Sequence, residues 1–499
     1  MQQIRKWFYV HPIDWRMTQL LVLLLILFGL IQFSTMGLVD VDGYYHTKMA
    51  YLIGTEGFKP EFKWLPLTIL NASEYVDHHF LFHVFLVPFT LVGNLVLAGK
   101  LGAIVFASLA VWTCGIVLKK ENIIGAEYWA LAIFASSTGF LFRMSMARSQ
   151  SISLVWIMLT ILVLFQKRWI WLIAMGWSYV WLYNAFPLII VVVAVYVIAA
   201  RITEGEWYWQ PLVYTIIGVV LGLVINPYFP NNLSFIYDHY VAKLDIESVS
   251  VGMEWYPYDT DRLMKNGMGA LAALAIGAFA WGFSKEKMSL HSLFMFGMSL
   301  FFGIMVFQSK RFIEYFPPFP VMFAAFAFQP ILKEMKLRWF VVAGTAVVLM
   351  AGVGYNLYQA KDDFGNTDSP ALFSGSSHWL AQNTPKDSVV FQTDWDDFGR
   401  IFHFNSNNIY IVGLDPTYLS LANKPLILLP CGQKSGSLIY LKRRSLIQSG
   451  VTCSRLPASW WTSSKGMCSS LARKHSQMRC LRTNASAVLV PRAVNFTPR

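Results

Sequence analysis

Residues 17–42 read MTQLLVLLLILFGLIQFSTMGLVDVD. The run from Met17 to Leu38 is apolar and long enough to cross a bilayer once as a helix. Arg5, Lys6 and Arg16 precede it, and no small-residue cleavage site follows, so it reads as a retained first helix and not as a signal peptide. The positive-inside rule places the N-terminus in the cytoplasm. Asp40 and Asp42 then stand at the outer mouth of that helix.

Composition extends this reading to the whole chain. Of 499 residues, 56% are hydrophobic and 14% charged, and the mean hydropathy is +0.47. Soluble proteins carry about 25% charged residues. The sequence therefore predicts an α-helical polytopic membrane protein. Apolar spans fall near 17–38, 80–97, 99–118, 126–142, 150–166, 169–200, 211–226, 267–283, 290–307, 315–332 and 339–358. That is about 11 transmembrane helices, or 13 with a further hidden helix and a break of 169–200 at Asn184-Ala-Phe-Pro187. The basic loops Ser284–Ser289 and Lys333–Arg338 read as cytoplasmic, so loops 39–79 and 227–266, the turn at Gln308–Glu314 and everything beyond Tyr358 face outward. This count also puts Lys119-Lys120 and Lys167-Arg168 outside, against the rule, and Arg143 and Arg148 inside.

The expected organisation is a membrane domain over 1–358, a small extracytoplasmic α/β domain over 359–425, and a basic tail over 426–499. Alternating runs such as Ser388–Phe391 and Asn408–Val412 suggest the strands. The tail holds 12 Lys/Arg and no Asp or Glu, which leaves 28 basic and 28 acidic residues in 1–425. The net charge of +12 thus belongs to the tail alone. The membrane body carries no field to steer a polyanion, so nucleic acid is not an expected partner. Four of the five cysteines also lie there (Cys431, Cys453, Cys468, Cys480), without zinc spacing. A reading-frame change near Leu426, leaving the outer domain incomplete, would account for this abrupt shift in composition.

Several clusters could carry chemistry. Asp40 and Asp42, spaced by two beside Gly43, suit a hard divalent cation or the orientation of a nucleophile. A helix starting there puts His46 one turn beyond Asp42. Asp77-His78-His79 with His83 reads either as a metal-binding cluster or as an interfacial cap. Glu254 and Trp255 sit among aromatics and acids that fit a sugar cleft or an interfacial segment equally well. Lys310-Arg311 at an outer mouth suits phosphate recognition, the alternative being pairing with Glu314 or with lipid headgroups. Thr393-Asp-Trp-Asp-Asp-Phe-Gly399 gathers acids and aromatics at a turn. Walker, GxGxxG, HExxH and GxSxG motifs are all missing.

In this order the clusters resemble the GT-C membrane glycosyltransferases, and most the catalytic subunit of oligosaccharyltransferase. Asp42-Gly-Tyr-Tyr is similar to that family's Asp-Gly-Tyr. Ser248-Val-Ser250 with Glu254 is similar to SVSE, with the Glu three residues later. Arg311-Phe-Ile-Glu-Tyr-Phe-Pro is similar to Arg-Phe-x-x-Tyr-x-x-Pro. Trp395-Asp-Asp-Phe-Gly399 is similar to WWDYG, with Asp396 and Phe398 in place of Trp and Tyr.

The resemblance implies transfer of a sugar or oligosaccharide from a polyprenyl-(pyro)phosphate donor to a protein or glycan acceptor at the outer membrane face. It implies catalytic Asp42, Asp40 and Glu254, and a divalent cation (Mg or Mn) held by Asp42, Glu254 and Glu121. Arg311 and Lys310 would bind donor phosphate. Tyr44, Tyr45, His46, Trp255, Trp395, Asp396 and Asp397 would line the acceptor or glycan groove. The alternatives are a monosaccharide transferase of the same superfamily that uses a polyprenyl-monophosphate sugar and Asp general-base catalysis without metal, a transporter or flippase of lipid-linked sugars, or an inactive family member.

Overall fold

The computed structural model describes residues 14–242, 252–284, 288–335, 339–365, 367–392, 394–422 and 488–490. Ser248, Ser250 and the four tail cysteines lie outside these. The chain divides into two compact units. One comprises residues up to Lys59, Asp77–Asn232 and Gly252–Pro370; the other comprises Pro60–Val76, a segment from Leu233 to Val251, and the chain from Ala371 onward.

The first unit is a helical bundle. Asp14 caps α1 (Trp15–Gln32), accepting from the Arg16 and Met17 amides at 3.1 and 3.3 Å. After a short turn come α2 (Asp42–Glu56) and α3 (Phe80–Thr90), then α4 (Leu95–Lys120), capped by Asn94. α4 runs antiparallel to α1. Lys100 donates to Gln32 O at 3.0 Å at one end, while Trp112 Nε1 donates to Met17 O at 2.9 Å and Lys119 pairs with Asp14 at 3.1 Å at the other. The bundle therefore has an Asp42 end and an Asp14 end.

The return path is α5 (Ala126–Ala135) continued by α6 (Thr138–Met144), which carries the chain back to the Asp42 end; α7 (Gln150–Phe165) leads away again. The 169–200 stretch is two helices, α8 (Leu172–Leu182) and α9 (Pro187–Glu204), broken at the expected Asn184–Pro187 segment. Proline at the first turn suits α9 because its missing N–H would have no partner there. α10 (Gln210–Val224) packs parallel to α8. The chain then passes through α11 (Asn231–Tyr240), most of which belongs to the second unit, and returns with α12 (Thr260–Phe283), α13 (Leu290–Gln308), α14 (Pro318–Glu334) and α15 (Trp339–Gly365).

Among the described residues five helices, α1, α4, α9, α12 and α13, are long and apolar enough to cross a membrane. Their outward faces are apolar too: Ile198, Phe279 and Ile304 are more than half exposed. A surface of that kind suits hydrocarbon as solvent.

Two expectations fail in the first half. The 80–97 stretch is not one span. α3 has 11 residues, about 16 Å, and it lies alongside α2, where Gly54 faces Val87. The consequence is a change of parity. Lys119, Glu121 and Lys167 lie at the Asp14 end, and Arg143 and Arg148 at the Asp42 end, opposite to the expected placement.

In the second unit, β1 (Val389–Gln392) is flanked by parallel β2 (Ile409–Tyr410) and β3 (Val488–Val490). α16 (Ser374–Asn383) precedes β1, α17 (Phe398–Phe404) makes the crossover that parallel strands require, and α18 (Pro416–Ala422) follows β2. Ile411, Val412 and Leu419 form its core with Leu67, Val389, Phe391 and Trp395. The 60–76 segment joins through Trp64, whose carbonyl accepts from Tyr410 N at 2.8 Å and whose Nε1 donates to Ser406 O at 2.8 Å.

Candidate active site

The site lies in the helical unit and is built where four segments meet. Asp40 and Asp42 lie on the turn from α1 into α2. The bend between α6 and α7 crosses this turn closely: a Cβ on Gly43 would stand 3.1 Å from the Ala147 methyl. That approach delivers Arg148. Its Nε lies 2.8 Å from Asp40 Oδ2, its Nη2 pairs with Asp42 Oδ2, and its Nη1 lies 3.3 Å from Glu254 Oε2. One planar guanidinium thus holds three carboxylates, one on each nitrogen.

Glu254 arrives on a 3-10 turn, Met253–Trp255, tied down by two bonds: Ser309 Oγ donates to Glu254 O at 2.9 Å and Lys310 N to Tyr256 O at 3.0 Å. Arg143, buried on α6, spans Glu254 at 2.5 Å and Glu314 at 2.6 and 3.0 Å. Arg311 lies 3.6 Å from Glu254 Oε1, donates to Tyr183 OH at 2.7 Å and stacks on Trp255, 4.9 Å from the ring centre. Three arginines and four carboxylates therefore interlock.

Burial alone would push the Glu254 carboxyl up, but Arg143, Arg148 and Arg311 outweigh it and hold it well below its ordinary value. Burial likewise opposes the charge on Arg148 and Arg311, and the facing carboxylates and the Tyr183 hydroxyl more than restore it. At neutral pH this end of the bundle is fully ionised at these groups.

A second network adjoins the first. Asp77 Oδ2 and His83 Nδ1 are 2.7 Å apart, and His83 Nε2 and His46 Nδ1 are 2.7 Å apart, all three residues buried. Burial, with His83 and His78 nearby, pushes His46 well below the usual histidine range, so the ring is neutral at physiological pH. His79 packs 5.5 Å from the Tyr183 ring. The Asp77–His83 segment is thus an internal hydrogen-bonded chain.

Of the residues expected from the sequence, Asp40, Asp42, Glu254, Trp255 and Arg311 come together. Lys310 lies over the Tyr258 ring, 5.9 Å from its centre. Tyr44 and Tyr45 are fully packed inside, with Tyr44 OH accepting from Leu38 N at 3.3 Å; they shape the turn and present no groove surface. His46 belongs to the buried chain. Glu121 is not near Asp42. It pairs with His291 at 3.2 Å at the Asp14 end, about 27 Å away along the 18-residue α1.

Trp395, Asp396 and Asp397 lie in the other unit, on a 3-10 turn capped by Asp394, whose side chain accepts from Asp396 N at 3.3 Å. Arg143, Arg148, Glu314 and Tyr183 were missed. The arginines had a signal, a polar break between apolar runs, but the span count put them at the wrong end. Glu314 and Arg143 are 171 residues apart, and nothing in one sequence links them.

A divalent cation does not fit these residues as they stand. Asp40, Asp42 and Glu254 are already engaged by arginines, and the third implied ligand, Glu121, is remote. Among the described residues no group of three or more His, Cys, Asp or Glu is placed to hold a metal ion.

No protein-family model and no curated protein matches this sequence. Solved structures do. The apo oligosaccharyltransferase of Archaeoglobus fulgidus superposes with a TM-score of 0.57 at 10% identity, over 82% of this chain and 66% of that one. The same organism's AglB, in complex with an inhibitory peptide and a dolichol-phosphate, gives 0.57 at 11%, over 83% and 65%. ArnT from Cupriavidus metallidurans, bound to undecaprenyl phosphate, gives 0.51 at 13%, over 81% and 87%. This protein has the GT-C glycosyltransferase fold. It spans about two thirds of the length of the archaeal oligosaccharyltransferase. At these identities the likeness is one of fold alone.

Proposed function

We propose that the protein is an integral-membrane glycosyltransferase. It moves a sugar or oligosaccharide from a polyprenyl-(pyro)phosphate carrier to a protein or glycan acceptor at the outer membrane face. The observation that carries this reading is the meeting of Asp40, Asp42 and Glu254 with Arg311 at one end of an apolar bundle. Carboxylates orient a nucleophile, and arginine forks onto phosphate. The lipid phosphates named with the archaeal AglB and ArnT structures make a similar donor reasonable here.

Asp42 positions the acceptor and draws on its proton as the acceptor attacks the anomeric carbon. The bond from that carbon to the phosphate oxygen breaks, and the electron pair stays on the phosphate. Arg311, with Lys310, meets the charge that develops there. Trp255, exposed and stacked on Arg311, offers a face to the sugar.

The distribution of basic residues between the two ends of the bundle supports this orientation. The helices make eleven traverses: α1, α4, α5 with α6, α7 to α10, and α12 to α15. Lys119, Lys120, Lys167 and Arg168 gather at the Asp14 end, as do the starts and ends of the helices that flank residues 285–287 and 336–338. The positive-inside rule makes that end cytoplasmic and the Asp42 end external. β1 to β3 with α16 to α18 then form the small extracytoplasmic α/β unit, whose Trp395–Asp397 turn is the acceptor-reading segment.

The test is transfer from a labelled polyprenyl-linked sugar in membranes. Asp42→Ala and Arg311→Ala are each expected to lower the rate at least about 100-fold. Undiminished transfer by both variants would sink the assignment.

A further inference from the structure

We propose that Arg148 stands in the place of the divalent cation that the oligosaccharyltransferase resemblance implies. Its guanidinium, and not a metal, gathers Asp40, Asp42 and Glu254 around the acceptor. Three observations converge on this. Each of the three nitrogens of Arg148 faces a different carboxylate. The backbone is shaped for it, because Gly43 admits Ala147 at 3.1 Å and so brings the Arg148 bend against the Asp42 turn. The remaining implied ligand, Glu121, is paired with His291 at the far end of the bundle.

Arginine suits the role. It stays charged at every physiological pH, and its planar fork fixes directions as a coordination sphere does. It supplies one positive charge where a metal would supply two. Arg143 and Arg311 add theirs on the Glu254 side, so the carboxylates are neutralised by three single charges spread over the site. Arg148 faces Asp42 Oδ2 and leaves the other oxygen of that carboxylate for the acceptor. Arg148 is therefore a positioning residue, acting through Asp42.

The consequence for transfer rests on the glycosyltransferase reading, but the statement about metal does not, and the two are tested apart. The full chain, purified in detergent, is titrated with Mn²⁺ while free Mn²⁺ is read by electron paramagnetic resonance. Wild type is expected to take up none at this site. Arg148→Ala releases Asp40 and Asp42 and removes one of the three arginines facing Glu254, and it is expected to gain one Mn²⁺ per chain, a gain that a further Asp42→Ala change abolishes. A merely structural arginine would produce no such gain. Mn²⁺ uptake by wild type that Asp42→Ala removes would overturn the proposal.

In the transfer assay, EDTA is expected to leave wild type unchanged, and loss of its activity to EDTA with recovery on Mn²⁺ would also overturn it. Arg148→Lys keeps the charge without the fork. It is expected to lower kcat/KM about 100-fold through misplaced carboxylates, while a rate equal to wild type would count against the role. Failure of wild type to transfer from any lipid-linked donor would remove the glycosyltransferase reading and leave the Mn²⁺ result standing.

Discussion

Glu254 is the residue on which the charge network turns. It is the one carboxylate in contact with Arg143, Arg148 and Arg311. Burial raises its proton affinity, but the arginines lower it further, so its folded pKa lies well beneath the ordinary 4.5. A carboxyl depressed by folding stabilises the protein in full above its unfolded pKa. That contribution shrinks as the pH falls below the unfolded value, and it is gone once the pH passes the folded one. The stability gap between wild type and Glu254→Gln is therefore expected to hold steady from pH 8 to about 5 and to narrow below about 4.5. Unfolding midpoints in detergent at a series of pH values measure it, and a gap that widened on acidification would contradict the pairing. The sequence announced Asp42 and Arg311 because each sits in a short polar stretch after an apolar run, and Glu254 because acids and aromatics interleave in the 227–266 loop. It offered Glu314 only as a neighbour for Arg311 and was silent on Tyr183; both acquire their roles from distant partners, Arg143 for Glu314 and Arg311 for Tyr183.

At the scale of elements, hydropathy located nearly every helix but not what each helix does. The 80–97 stretch is as apolar as a span, yet α3 is short and lies beside α2. The apolar signal is the same whether a helix faces lipid or protein, so the first-half parity was unreadable. The Asn184–Pro187 break was readable, because proline stops a helix by removing a donor whatever surrounds it. Packing between helices is set by small residues that pattern alone does not rank. A Cβ on Gly218 would stand 2.3 Å from Ile173 O, and one on Gly222 2.6 Å from Trp177 O, whereas Gly344 on α15 has nothing within 4 Å. Close backbone approach of this kind is how membrane helices gain contact. Gly218→Val is therefore expected to separate α8 from α10 and cost about 1–3 kcal/mol, while Gly344→Ala leaves stability unchanged or slightly raised. Thermal unfolding of both variants in one detergent decides it, and equal midpoints would mean that α8 and α10 are not in backbone contact.

For the whole molecule, the corrected path of the chain resolves a conflict that the sequence raised. Counting 80–97 as a crossing put Lys119-Lys120 and Lys167-Arg168 outside and Arg143 and Arg148 inside. With α3 removed from the crossings and α8 and α9 counted separately, the total stays at eleven traverses. The two errors cancel in number and differ only between residues 80 and 200. Across that interval every side assignment reverses. All the Lys/Arg pairs of the first half then join the Asp14 end, and the arginines of the site join Asp42. This can be measured in intact cells with a membrane-impermeant thiol reagent, in a background lacking the five native cysteines. Cysteine at Lys59, which donates to Pro227 O near the end of α10, is expected to react from outside. Cysteines at Lys120 and Lys167 are expected to react only after the membrane is opened. Labelling of both Lys59→Cys and Lys167→Cys in sealed cells would restore the parity read from hydropathy alone. It would also set Asp42 and Arg148 on opposite sides of the bilayer, which their contact forbids, so that outcome would undo the helix path itself and not merely its orientation.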